Sequence, residues 1–273
     1  NGEIANRAVT KNVNGEIANR AVTKNVNGEI DNRAVTKNVN GESDVEREKY
    51  SKAWMNDDYR TFSPGENMIM PFMMTAKPDT GSSITDFGSG TGRASLFFHE
   101  CGLQVQMVDI ADNCLDKEVK EKIGDKLIIG NLWEQIVGLK HSDIGYCCDV
   151  MEHIPEFYVT EVIENIVERC DKAFFHICFH EDHFGKQMGE VLHLTVRPFK
   201  WWLKVLEHFG TVTDARDLLF NGMFIVENAN RAVTKNVNGE MGNRAVTKNV
   251  NGEMDNRAVT KNVNGESGGN DNG

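Results

Sequence analysis

No apolar run in this chain reaches the ~18 residues that a membrane-spanning helix needs, and no secretory signal is visible at the start of the 273 residues. An excess of positive charge is also missing. The chain carries 30 Lys/Arg against 41 Asp/Glu, a formal charge of −11. An acidic surface argues against unaided binding to nucleic-acid phosphates, which needs basic residues. The six cysteines, Cys101, Cys114, Cys147, Cys148, Cys170 and Cys178, form no C-x-x-C pair. Scattered through apolar segments, they read as reduced, buried thiols, so a cytoplasmic location is expected.

Both ends are repetitive. A 13-residue unit, Asn-Arg-Ala-Val-Thr-Lys-Asn-Val-Asn-Gly-Glu-x-x, follows a partial copy at Asn1–Ile4 and fills residues 5–43 three times and residues 229–267 three times. The units contain no His, Cys or aromatic residue, which excludes catalysis there. Each has an Asn-Gly, the strongest short hairpin signal. Their apolar residues are too few and small to offset ordering entropy. Two readings stand: disordered tails, or a β-ribbon turning at each Asn-Gly. The repeats are candidates for tethering or self-association. The expected organisation is repeats over 1–43, one domain over 44–228, and repeats with a polar tail over 229–273. The two repeat blocks are almost neutral, so the middle holds 18 Lys/Arg and 31 Asp/Glu, a net of −13.

Within the middle, Ile84–Phe87 is a β-branched run that leads into Gly88-Ser89-Gly90-Thr91-Gly92-Arg93 and an apolar stretch with helical spacing. A strand turning sharply into a helix needs glycine where the backbone bends or approaches a ligand. The helix start then offers free N–H groups. A dinucleotide fingerprint, G-x-G-x-x-G, does not fit, because Arg93 stands where its third glycine belongs. No P-loop Gly-Lys-Ser/Thr occurs.

Helical and extended patterns alternate from Ser82, the signature of a parallel sheet with crossover helices. Strands are expected at Ile84–Phe87, Val105–Val108, Lys126–Ile129, Asp143–Cys148 and Ala173–Phe179. Helices are expected at Arg93–Glu100, Asn113–Ile123, Phe157–Cys170 and Phe199–Phe209. Thr211–Ala215 and Met223–Val226, on either side of Asn221-Gly222, read as a closing hairpin. Tyr50–Pro78, with Trp54 and a methionine cluster, has both apolar and polar faces and reads as a pocket cap or an amphipathic helix on the sheet.

Ligands of open α/β sheets bind beyond the carboxyl ends of the strands. Asp109 ends the second strand, where a carboxylate can accept two ribose hydroxyls. Asn131 follows the third. Cys148-Asp149-Val150-Met151-Glu152-His153-Ile154-Pro155 ends the fourth. His153 titrates near neutrality in its free form, which makes it a candidate general base beside Glu152. His176, His180 and His183 form H-x3-H-x2-H. An i, i+4 pair shares a face only on a helix, and this run begins in a strand, so no metal is expected.

The D-x-G-x-G-x-G loop at Asp86–Gly92 resembles motif I of the class I methyltransferases that use S-adenosylmethionine. The segment from Asp149 to Pro155 resembles their D-V-x-E-H-I-P. The resemblance covers about residues 44–227. It implies a seven-stranded, mostly parallel Rossmann-like sheet with helices on both faces. It also implies transfer of a methyl group from S-adenosylmethionine to a small or medium-sized acceptor, with S-adenosylhomocysteine as product. Cofactor contacts are implied at Asp86, Gly88, Ser89, Gly90, Gly92, Asp109, Ile110, Asn131, Leu132 and Asp149. Catalytic roles fall to His153 and Glu152, and substrate contacts to Tyr59, Arg60, His180 and His193. Asn131 stands where many members carry Asp. The rival reading is a non-catalytic binding module on the same fold, with the repeats as its interaction element.

Overall fold

The structure is a computed structural model that describes residues 18–21, 34–37, 39–61, 63–182 and 184–229. The second repeat block, from residue 230, and His183 lie outside the described residues. In the first block, β1 (Ala18–Ala21) pairs antiparallel with β2 (Ala34–Lys37), Ala18 opposite Lys37 and Ala21 opposite Ala34. The turn expected at Asn27-Gly28 lies outside the described residues.

A helical N-terminal region follows: α1 (Val39–Ala53), α2 (Asp57–Thr61), α3 (Pro64–Asn67) and α4 (Ile69–Ala76). Strands and helices then alternate through β3 (Ser83–Phe87), α5 (Arg93–Glu100), β4 (Gln104–Asp109), α6 (Lys117–Ile123), β5 (Leu127–Ile129), β6 (Ser142–Cys148), α7 (Val159–Glu168) and β7 (Cys170–Cys178). The chain closes with α8 (Phe184–Met188), α9 (Phe199–Leu206), β8 (Thr211–Asp217) and β9 (Asn221–Glu227). The seven-stranded sheet has the order β5-β4-β3-β6-β7-β9-β8. The first five pair in parallel, and β9 runs antiparallel to both β7 and β8. The order reverses between β3 and β6, which opens a crevice at their carboxyl ends.

Strand residues alternate between two cores because successive side chains point to opposite faces. Cys147 and Phe175 pack with α7 residues Val159, Val162, Ile163 and Ile166 and with Trp202 of α9. Tyr146 and Phe174 pack on the other face with Phe72 of α4, Ala94 and Phe98 of α5 and Val119 of α6. Helices therefore cover both faces, and the inner strands read as near-continuous apolar runs.

Three expected elements differ. The helix expected from Asn113 starts only at Lys117. Arg60, from α2, donates to the carbonyls of Asn113 and Cys114 and to Asp116 Oδ1 at 3.0–3.1 and 2.8 Å, so residues 113–116 stay a loop. The helix expected from Phe157 to Cys170 is a tight turn at Glu156–Tyr158 followed by α7, and Cys170 already belongs to β7. The closing hairpin turns at Leu218–Phe220, with Leu219 at φ 75°, and not at Asn221-Gly222. Gly222 lies inside β9, where a Cβ would come within 2.6 Å of Phe179 and 3.0 Å of Phe199. It is glycine for close packing, not for a turn.

Helix α1 also crosses the 43/44 boundary. Its opening residues, Val39–Ser43, are the end of the last N-terminal repeat, and Ser43 is buried.

Candidate active site

The crevice between β3 and β6 holds a cavity of about 100 Å³, smaller than the ~300–1,000 Å³ of open small-molecule sites. Its floor is Gly88, Asp109, Ile110, Gly130, Asn131, Leu132 and Trp133, from the ends of β3, β4 and β5. Asp149, Val150, His153 and Ile154 after β6 form one side, and Glu46, Tyr50, Trp54 and Tyr59 form a roof.

Gly88 sits at φ 75°, and a Cβ there would fall on the Val150 methyl groups, so only glycine lets the two switch-point loops meet. Asp109 locks the floor. Its Oδ2 accepts from Gly90 N and its Oδ1 from Ala111 N, both at 2.9 Å. Burial raises its pKa to about 6 against those two hydrogen bonds. Asn131 Nδ2 donates to Ser43 Oγ at 3.1 Å, and Asn131 Oδ1 accepts from Trp133 N at 3.3 Å. Asp149 adopts φ 53°, and its Oδ2 lies 2.7 Å from His176 Nδ1. A left-handed aspartate at a strand end is strain held by its surroundings. Here Asp149 N donates to His176 O and anchors it.

His153 Nδ1 lies 3.0 Å from the Leu192 carbonyl, so Nδ1 carries the proton and Nε2 the lone pair. Burial, with His193 next to it, lowers its pKa to about 3. The His153 ring meets Tyr50 and His193 edge-on, with centroids 5.8 and 4.7 Å apart. Glu152 is fully buried behind it. Its Oε1 accepts from Cys178 N at 3.1 Å, while no protein donor reaches Oε2. Burial, then the neighbouring Asp149, pushes this carboxyl well above the carboxylate range.

Of the residues singled out in the sequence, the cavity wall brings together Gly88, Asp109, Ile110, Asn131, Leu132, Asp149, His153 and Tyr59. Asp86, Ser89, Gly90, Gly92, Glu152, Arg60, His180 and His193 do not line it. Arg60, expected to contact substrate, spends its guanidinium on the Trp54, Asn113 and Cys114 carbonyls and Asp116, and so fastens the roof to the loop after β4. Gly90 underlies the roof, its absent Cβ leaving room for the Trp54 ring. Sequence reasoning missed Glu46, whereas Tyr50 opens the segment expected to cap the pocket. With Ser43 and Tyr50, Glu46 makes an i, i+3, i+7 stripe on one face of α1 that leads to Trp54 just past its end, a signal present in the sequence.

Asp86 faces α5, where Ser95 Oγ donates to its Oδ2 at 2.7 Å. Burial raises its pKa to about 7 from an ordinary 3.8. A carboxyl raised in the fold destabilises when ionised. The penalty is complete above pH 7 and fades as pH falls toward 3.8. Asp86→Asn, which keeps an acceptor for Ser95, is therefore expected to stabilise the protein by roughly 1–3 kcal/mol at pH 8. The gain over wild type should shrink steadily in urea melts taken from pH 8 to pH 4. An Asn variant that is less stable at pH 8 would contradict it.

The wall is acidic. Glu46, Asp109 and Asp149 line it; Glu46 is already paired with Lys49 at 2.5 Å and Asp149 with His176, which leaves Asp109 without a basic partner among the described residues. Such a site disfavours polyphosphate ligands and favours a cationic one. Tyr50 and Trp133 line the cavity, and their buried Oη and Nε1 have no protein hydrogen-bond partner among the described residues.

No protein-family model matches the sequence, and no curated protein matches it. Solved structures do. The chain is similar to 1,6-didemethyltoxoflavin-N1-methyltransferase of Burkholderia thailandensis, solved with 1,6-didemethyltoxoflavin and S-adenosylhomocysteine. The two are 13% identical over 81% of this chain and 100% of that one, with a TM-score of 0.54. It is also similar to magnesium protoporphyrin IX methyltransferase of Synechocystis PCC 6803, solved with S-adenosylhomocysteine. There the identity is 14% over 68% of this chain and 99% of that one, with a TM-score of 0.51. The chain has the fold of the class I S-adenosylmethionine-dependent methyltransferases.

Proposed function

We propose that this protein transfers a methyl group from S-adenosylmethionine to a small or medium-sized acceptor. The observation that carries the reading is Asp109, a buried carboxylate tied by Gly90 N and Ala111 N to the floor of an acidic, switch-point cavity. In this reading the remaining lone pairs of Asp109 accept the two ribose hydroxyls. Gly88 lets the chain pass close under the methionine portion. Asn131, Leu132 and Trp133 hold the adenine, and Ile110 packs beside it. Asp109 and Asp149 match the positive charge of the ligand.

The bound cofactor supplies a sulfonium methyl that is already an activated electrophile. The work left to the protein is positioning and exclusion of water. The roof residues Tyr50, Trp54 and Tyr59 exclude water from the cavity. His153 presents its Nε2 lone pair at the wall, where it accepts a hydrogen bond from the acceptor group and orients it. Glu152 and the loop carrying Leu192 fix that ring from behind.

Calorimetric titration of the full chain tests the reading. Both S-adenosylmethionine and S-adenosylhomocysteine are expected to bind at one site with micromolar dissociation constants. A well-folded protein that binds neither would overturn it.

A further inference from the structure

His193 stands on the irregular segment between α8 and α9, far in sequence from the end of β6. Yet ligand-capable atoms of Glu152, His153 and His193 lie within 4.8 Å of one another. We infer that Glu152, His153 and His193 form a binding site for one divalent first-row transition-metal ion, of which Zn²⁺ is the representative.

Three observations carry this. The first is the donor set, two imidazoles and a carboxylate, which suits such an ion and leaves positions open. The second is the state of the rings. His153 Nδ1 lies 3.0 Å from the Leu192 carbonyl and His193 Nδ1 2.6 Å from the His180 carbonyl. A backbone carbonyl on Nδ1 fixes the tautomer that leaves Nε2 free for an ion. The third is independent of both. Glu152 Oε2 is fully buried and no protein donor reaches it, although Oε1 is satisfied by Cys178 N. A buried carboxyl with no donor on one oxygen holds a proton, here beside Asp149, or a cation that displaces it.

The arrangement is also rigid. Leu194 N and Thr195 N both donate to the Glu152 carbonyl, at 2.7 and 2.9 Å, and Thr195 Oγ1 donates to the Ile154 carbonyl at 2.6 Å. These bonds stitch the His193 segment to the Glu152–Ile154 turn. A second trio, Cys178, His180 and His193, shares His193. It is the weaker candidate, because His180 is exposed and the Cys178 thiol, raised to about 12 by burial, points at the His180 carbonyl.

His153 also lines the cavity, so an ion on this triad would take up its Nε2 lone pair and meet the acceptor as a Lewis acid in place of the hydrogen bond that Nε2 accepts without it. That use rests on the methyl-transfer reading, whereas the ion site does not.

The test is Zn²⁺ titration of the chelator-stripped full chain, with Co²⁺ absorption as a second readout of the ligand set. One Zn²⁺ per chain is expected, with affinity lowered about 10–100-fold in Glu152→Gln and His193→Ala and unchanged in Cys178→Ser. Circular dichroism checks that each variant folds. Absence of stoichiometric binding overturns the site. So does binding that survives Glu152→Gln but is lost in Cys178→Ser. Titration with S-adenosylmethionine separates the two readings. Cofactor binding without Zn²⁺ binding overturns this inference alone. Zn²⁺ binding without cofactor binding supports the ion site and overturns the methyl-transfer reading.

Discussion

Asp109→Ala is expected to weaken S-adenosylmethionine binding by about 100-fold, or roughly 2.7 kcal/mol. The carboxylate does two things that alanine cannot. It accepts the Gly90 and Ala111 amides, and in the proposed complex it also accepts the ribose hydroxyls. Its loss leaves two amides unsatisfied in a buried floor. The fold should survive, because removing a buried carboxyl whose pKa is raised to about 6 relieves a desolvation cost at neutral pH. Asp109→Asn retains one acceptor oxygen and should lose about tenfold. Calorimetry on both variants checks this, with urea melts to show that stability is kept. An alanine variant that binds as tightly as wild type would remove the cofactor from this cavity.

Phe72→Ala should have the largest effect on stability, a loss of about 3–5 kcal/mol. The Phe72 ring, on α4, is fully buried. It meets Phe98 at 5.1 Å, Tyr146 at 5.0 Å and Phe174 at 5.4 Å, all edge-on. Edge-to-face aromatic contacts add to area burial, and α5, β6 and β7 cannot close together over the gap. Urea denaturation measures it. The slope of the transition should be unchanged, and the midpoint should fall. A loss under about 1 kcal/mol would mean that the site collapses or fills with little penalty.

Much of this architecture is legible in the sequence, and the exceptions share a cause. The central strands are, because their apolar runs are short and bounded by acids or glycine. The glycine loop is legible because a strand-to-helix turn under a ligand tolerates little else. Residues 113–116 look helical locally, but Arg60 draws their carbonyls out of a helix from 53 residues away. Asn221-Gly222 is the stronger turn signal, yet three aromatic rings claim Gly222 for packing. The roof was obscured because α1 begins in repeat sequence, whose composition suggests tails. The meeting of Glu152 and His153 with His193 depends on a loop path that no spacing rule encodes. In each case a long-range contact overrides a local preference.

The roof over the cavity also has a kinetic side. Tyr50, Trp54 and Tyr59 flank the cavity above Gly88 and Asp109, with the Trp54 and Tyr59 rings packed at 4.8 Å. Any lifting of α1 during ligand exchange would break the Asn131–Ser43 and Asn113–Ser51 hydrogen bonds. Since Ser43 ends the repeat array, α1 is joined to that array covalently. Drag or anchorage on the array would then act on residence time and turnover rather than on the chemistry beneath.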